Sequence, residues 1–122
     1  MPEAFPDLIL QRLDVAKEVD IETTGEDGKV HRVTIWIVVI EGVPYVRSVR
    51  GKKGRWFREL TARGGKIHAG SRSIDVKPTR VTAVDLIDEV SAALWRKYTK
   101  NNSLFSMLRL AALDTTLRLD PA

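Results

Sequence analysis

Apolar residues along this chain change period several times, and each change marks an element. From Pro6 to Val15, Leu8, Ile9 and Leu13 are spaced to share one face of a short helix. Val15, Val19 and Ile21 then lead into Thr23-Thr24, a β-type run that stops at the turn-forming Gly25-Glu26-Asp27-Gly28. Lys29 to Ile40 holds Val33, Ile35, Trp36, Ile37, Val38, Val39 and Ile40. That run is too continuous for a strand with one wet face and predicts a central strand buried on both sides. Glu41-Gly42 links it so tightly to Val43–Val49 that the two must form an antiparallel hairpin. Pro44 has no amide hydrogen and belongs at the strand's start or on a free edge.

After a loop from Arg50 to Arg55, the pattern predicts a short helix over Trp56–Ala62, ended by Arg63-Gly64-Gly65. A second hairpin follows around Gly70-Ser71, joining Lys66–Ala69 to Arg72–Lys77, with Ile74 and Val76 on one side and Ser73, Asp75 and Lys77 on the other. In the last third, Thr82 and Asp85 have the spacing of a capping box ahead of a stripe of Val84, Ile87, Val90, Ser91, Leu94 and Tyr98. This helix is expected to pack on the sheet. A further helix from Ser103 to Leu113 and a closing strand, Thr115–Leu119, complete the reading. The fold class is α+β, mainly β, with a sheet able to curl into a small antiparallel barrel and a packing helix in the C-terminal third. No repeat or linker divides the chain. The expectation is one domain over residues 1–122, with a helical segment at 1–14, barrel strands at 15–80, helices at 81–113 and the closing strand at 114–122.

Composition narrows the class. The chain has 122 residues, enough for one core without disulfides or metals. Its longest apolar run, Val33–Ile40, falls well short of the ~20 residues of a membrane-spanning helix. The start, Met1-Pro2-Glu3, lacks the basic and apolar stretches of a secretory signal, so a cytoplasmic protein is expected. The absence of cysteine excludes disulfides, thiolate zinc sites and cysteine nucleophiles. Net charge is +4, but it is unevenly spread: residues 1–27 hold eight acids and two bases, residues 28–80 thirteen bases and three acids, and residues 81–122 five of each. The basic middle suits a phosphorylated cofactor, a nucleic acid, or the acidic N-terminal segment itself.

Candidate chemistry concentrates in Arg47–Arg58, with six cations on a strand end, a glycine loop and a helix start. Arginine forks and helix-start amides both bind phosphate oxygens, and Gly51 and Gly54 let backbone approach a ligand closely. A solvated loop is the competing reading of the same charges. Trp36 lies in an apolar strand, the usual setting of a core residue, whereas Trp56 between Arg55 and Arg58 suits either packing or stacking on a planar ring. Trp95 reads as helix packing. His31 and His68 have no partner at metal-ligand spacing and stand in no nucleophile motif, so no metal site and no catalytic residue is assigned. Asp85, Asp88 and Glu89 are explained by the helix macrodipole. No G-x-S-x-G, G-x-G-x-x-G or G-x-x-x-x-G-K pattern occurs, which leaves hydrolase and nucleoside-triphosphatase readings without support.

The order of Thr23-Thr24-Gly25, Gly28 to Val38, Tyr45-Val46-Arg47-Ser48, Trp56-Phe57-Arg58-Glu59-Leu60 and Gly65 to Gly70 resembles the split β-barrel flavin-binding superfamily. It is similar to both the pyridoxamine-phosphate-oxidase-like and the deazaflavin-dependent nitroreductase branches. More narrowly, the segments VTIWIVV, VPYVRSVRG and TTLRL resemble a group of small uncharacterised bacterial proteins. The resemblance implies that a cofactor ring lies along Thr34, Ile35 and Trp36. It further implies that the phosphate is held by Ser48, Arg50, Lys52 and Lys53, with Trp56 on the loop's far side and Arg32 assisting from before the strand. Where the family helix often ends in Asn-Leu, this chain has Glu59-Leu60, and a carboxylate near a phosphate requires a paired cation such as Arg55.

The leading expectation is therefore an FMN- or deazaflavin-binding reductase in which the cofactor carries the hydride chemistry. The alternative is a non-catalytic dimeric split barrel without cofactor. Homodimerisation is expected because the surplus apolar side chains of Val33–Ile40 suit a twofold interface. A nucleic-acid-binding barrel ranks last, since the cations cluster on one loop instead of tracking along a groove.

Overall fold

The computed structural model describes residues 4–122; residues 1–3 of the expected N-terminal segment lie outside it. Helix α1 (Asp7–Val15) is followed by strands β1 (Val19–Thr24), β2 (Val30–Ile35), β3 (Val38–Ile40) and β4 (Val43–Val46). A 3-10 turn (Gly51–Lys53) leads into α2 (Arg55–Arg63), β5 (Gly65–Ala69) and β6 (Arg72–Arg80). Helices α3 (Val84–Tyr98), α4 (Leu104–Met107) and α5 (Leu110–Leu113) precede the closing strand β7 (Leu117–Pro121). All seven strands join one antiparallel sheet in the order β2-β1-β5-β6-β7-β4-β3. The architecture is the expected α+β, mainly β split barrel.

The run predicted as one central strand is instead two edge strands. β2 and β3 are consecutive in sequence yet lie at opposite ends of the sheet order, so Trp36 and Ile37 bridge the two ends of the curled sheet. The chain leaves its ladder there because side chains of α3 bond the freed backbone. Tyr98 Oη accepts from Ile37 N–H at 3.2 Å and donates to Lys17 O at 2.8 Å, while Lys97 Nζ donates to Ile37 O at 2.7 Å. The Trp36 ring stacks on Tyr98 with centroids 4.0 Å apart and planes 4° from parallel. Pro44 falls where expected, one residue before the ladder from β4 to β7 begins at Tyr45.

Two cores account for the apolar pattern. Inside the barrel, Ile21, Ile35, Ile37, Val46, Ile67, Val76, Leu117 and Leu119 meet Ile9 and Leu13 from α1 and Phe57 and Leu60 from α2. Leu8, expected on the buried face of α1, is exposed, and Phe5 is buried with this core instead. Outside the barrel, α3 lays Val90, Leu94 and Tyr98 over Val38 and Tyr45. That layer covers the second face of the Val33–Ile40 run, so its surplus apolar side chains are used within the chain.

Other departures from the sequence reading are local. Helix α3 begins after Ala83 with no side-chain cap, so Thr82 and Asp85 form no capping box. The helix expected over Ser103–Leu113 is two short ones, and Thr115 and Thr116 precede the closing strand. Their buried hydroxyls donate to Ala112 O at 2.7 Å and Leu113 O at 2.8 Å. Trp95 is half-exposed and sits edge-on to exposed Phe105 at 6.1 Å.

Helix α2 is fixed to the barrel by Glu59. Its buried carboxylate receives Thr23 Oγ1 at 2.9 Å and lies 2.9 Å and 3.1 Å from His31 Nδ1. Burial pushes this carboxyl up, but the hydrogen bonds from His31 and Thr23 outweigh it and hold the group below its ordinary value. A folded-state value below the unfolded ~4.3 adds stability that is fully present above that pH and disappears as pH falls through the folded value. The melting temperature of the wild type should therefore exceed that of Glu59→Gln at neutral pH. The gap should close below about pH 4, as thermal unfolding monitored between pH 3 and 7 would show. Tyr98→Phe, which leaves the Ile37 amide and the Lys17 carbonyl without their hydroxyl partner, should cost about 1–3 kcal/mol in urea unfolding.

Candidate functional site

Two adjoining cavities open along the side of the barrel where β2 faces the end of β4. The first, about 370 Å³, lies between Val33 and Thr34 on one side and Ser48, Arg50, Gly54 and Arg55 on the other. The second, about 380 Å³, is walled by Ile35, Trp36, Arg47 and Met107. Thr34, Val49 and Trp56 line both, which makes them compartments of one groove. Each is of a size that takes a small ligand.

The first compartment has the chemistry of an anion cradle. Ser48 is buried, and its Oγ has no hydrogen-bond partner among the described residues, an arrangement that costs stability unless a ligand supplies one. Its backbone is held firmly, since Ser48 N–H donates to Thr115 Oγ1 at 2.9 Å. A Cβ on residue 54 would lie 2.5 Å from that hydroxyl, so only glycine leaves the space open. Gly54 also begins α2. The first intrahelical bond runs from Arg58 N–H to Gly54 O at 3.1 Å, and no side chain caps the helix, so its uncapped first turn, which starts at the lining residues Gly54, Arg55 and Trp56, borders the compartment. Arg50 and Arg55 line it and have no ion-pair partner among the described residues.

Of the residues singled out from sequence, the structure gathers Thr34, Ile35, Trp36, Ser48, Arg50 and Trp56 along the groove. Arg32, Lys52 and Lys53 do not line it. Arg32 Nε donates to Asp20 Oδ2 at 2.8 Å, and Lys52 Nζ pairs with Asp114 at 2.9 Å. Thr34 Oγ1 is committed to Asp20 Oδ1 at 2.8 Å; this bond, with that from Arg32, holds the Asp20 carboxyl below the usual range. Part of the basic middle is thus neutralised by the acidic N-terminal segment through the Arg32–Asp20 pair, and His68 Nε2 lies 3.0 Å from Glu22 Oε1 of the same segment. Glu59 lies in a separate cavity with Gly25, His31 and Arg58, so its carboxylate does not oppose an anion in the groove.

Sequence reasoning missed the isolation of Arg47. The guanidinium is 1% exposed and bonds only neutral groups: Thr116 Oγ1 at 2.8 Å, Ser91 Oγ at 2.9 Å, Met107 O at 3.2 Å and Ile87 O at 2.7 Å. Burial pulls it down to about 10, so it remains charged at neutral pH. Alternation continued one residue past β4 was the available signal, because it sets Arg47 on the side of Tyr45, which faces the outer core, while Val46 faces the barrel interior. Ser103, Ser106 and Met107 reach the groove from α4 and the segment before it, and no sequence pattern joins them to β2.

Among curated proteins none matches this sequence. Several solved structures share its fold. A conserved hypothetical protein from Mycobacterium tuberculosis superposes with a TM-score of 0.68 at 15% identity, covering 99% of this chain and 81% of its own. An F420-H2 dependent reductase superposes at 0.62 with 15% identity, covering 85% and 93%, and a FAD-binding protein from Mesorhizobium loti at 0.60 with 16% identity, covering 100% and 94%. At these identities the likeness is one of fold. The sequence itself matches one family model from residue 9 to residue 119, and the chain therefore belongs to the family described as uncharacterized protein conserved in bacteria, DUF2255.

Proposed function

We propose that the groove binds a flavin-type cofactor, FMN or a deazaflavin, and that the protein is a small reductase. The observation that carries this reading is the buried, unpartnered hydroxyl of Ser48 facing a space that Gly54 keeps open. A phosphate there would accept hydrogen bonds from the Ser48 hydroxyl and the first-turn amides of α2 and meet the charges of Arg50 and Arg55. The ring extends past Thr34 and Ile35 toward Trp36 and Trp56. Because Thr34 Oγ1 is occupied by Asp20, backbone groups of this strand rather than the threonine hydroxyl meet the ring's polar edge. Bound cofactor supplies the hydride chemistry, and the chain orients it and screens it from water. The F420-H2 dependent reductase and the FAD-binding protein that share the fold support this choice of ligand class.

We further propose a homodimer. Exposed Trp95, Phe105 and Leu110 give the α3 to α5 side apolar surface that a second copy would bury. Size-exclusion chromatography with light scattering should give twice the chain mass. A monomer at all concentrations sinks the dimer.

For the cofactor, titration of FMN and of a deazaflavin while following tryptophan fluorescence should give saturable quenching. Ser48→Val should weaken binding roughly tenfold to a hundredfold, the value of a hydrogen bond to a charged group. Gly54→Val should abolish it, and Lys52→Met should leave it nearly unchanged, because that lysine is already paired on the surface. The absence of quenching by either cofactor would overturn the reading.

A further inference from the structure

The second compartment contains a charge that the phosphate cradle does not use. Four of the five N–H donors of Arg47 are bonded to neutral oxygens, and no carboxylate lies within ion-pair distance of it among the described residues. Asp88 acts on it only through space, and Glu18 lines the same cavity without bonding the guanidinium. A buried cation without a counter-ion is costly, and its field is strong in a poorly solvated cavity. The surrounding wall is chemically mixed: Trp36, Trp56 and Met107 are flat or soft apolar surfaces, and Ser103 and Ser106 add hydroxyls.

We infer that this compartment is a subsite for a planar carboxylate-bearing small molecule, held by the charge of Arg47 and the hydroxyls of Ser103 and Ser106 between the two tryptophans. The aromatic walls select a flat body, and a monoanionic carboxylate meets a single fixed cation with a smaller desolvation cost than a phosphate dianion. Calling this molecule the substrate rests on the cofactor reading; the anion subsite itself does not, since Arg47, Ser103 and Ser106 are distinct from Ser48, Gly54, Arg50 and Arg55 and only the tryptophan walls are shared with the proposed ring site.

The test uses cofactor-free full-length protein and two probes of the same shape, benzoate and neutral benzamide, titrated at constant ionic strength with tryptophan fluorescence as readout. Benzoate should bind saturably and at least about tenfold more tightly than benzamide, a preference equal to the loss of one charge-assisted hydrogen bond. Arg47→Met should erase the preference. Should that variant not fold, Ser106→Phe fills the cavity without touching any bond of the guanidinium and should abolish benzoate binding while leaving circular dichroism unchanged. Gly54→Val, which closes the phosphate cradle, should leave benzoate binding intact. Equal affinity for the two probes, or benzoate binding that survives Ser106→Phe or is lost in Gly54→Val, overturns the subsite. Benzoate discrimination in a protein that binds neither FMN nor a deazaflavin would overturn only the cofactor reading.

Discussion

The backbone of Ile37 lies between two strands that cannot pair with each other, and the structure turns on how its amide and carbonyl are satisfied. An unbonded backbone group inside a protein costs about as much as a lost hydrogen bond. Here Tyr98 and Lys97, both on the last turn of α3, supply the partners, and the stacked Trp36 and Tyr98 rings hold them in place. With those bonds made, the chain crosses from one end of the sheet to the other within two residues. The barrel is split at that point, and Thr34, Ile35 and Trp36 come to border a groove instead of lying in mid-sheet.

Polar groups around the groove fall into two kinds. Several polar groups close to the barrel surface are matched within the chain, as in Arg32 and Thr34 with Asp20, Lys52 with Asp114 and His31 with Glu59. Other groups that line the groove are not. Ser48 keeps a buried hydroxyl without a partner, Arg47 a buried charge without a counter-ion, and α2 an uncapped first turn. Among the described residues Ser48 Oγ is the one buried side-chain polar atom without a partner, and its position beside the Arg47 charge and the start of α2 is what supports the proposed anion site.

The two kinds are held apart by rigid elements. Glu59 and His31 lock the middle of α2 to the first hairpin, which fixes where the helix presents its N-terminus. Arg47, through Ser91, Ile87, Met107 and Thr116, draws α3, the end of α4 and the approach to β7 onto the end of β4. The same guanidinium thus joins the outer layer to the barrel and charges the wall of the second compartment.

The sequence by itself determined the element types, the hairpins, the turns at Gly25–Gly28 and Glu41-Gly42 and the α+β class, because these follow from local periodicity and from residues whose backbone preferences are intrinsic. It also located the basic loop, and Ser48, Arg50, Trp56 and Thr34–Trp36 proved to be neighbours. What only the tertiary structure decided was which polar groups had already found partners. Lys52 and Arg32 read the same as Arg50 along the chain, yet Asp114 and Asp20 occupy the first two. Arg47 read as one more cation of the basic segment, at the strand end, and its isolation depends on α3 and α4, forty to sixty residues away. Likewise the apolar run through Ile40 could not reveal its own break, since the hydroxyl and ammonium that make the break affordable belong to Tyr98 and Lys97. Periodicity records what each residue prefers locally, and charge pairing and backbone satisfaction are settled by groups that meet only after the chain has folded.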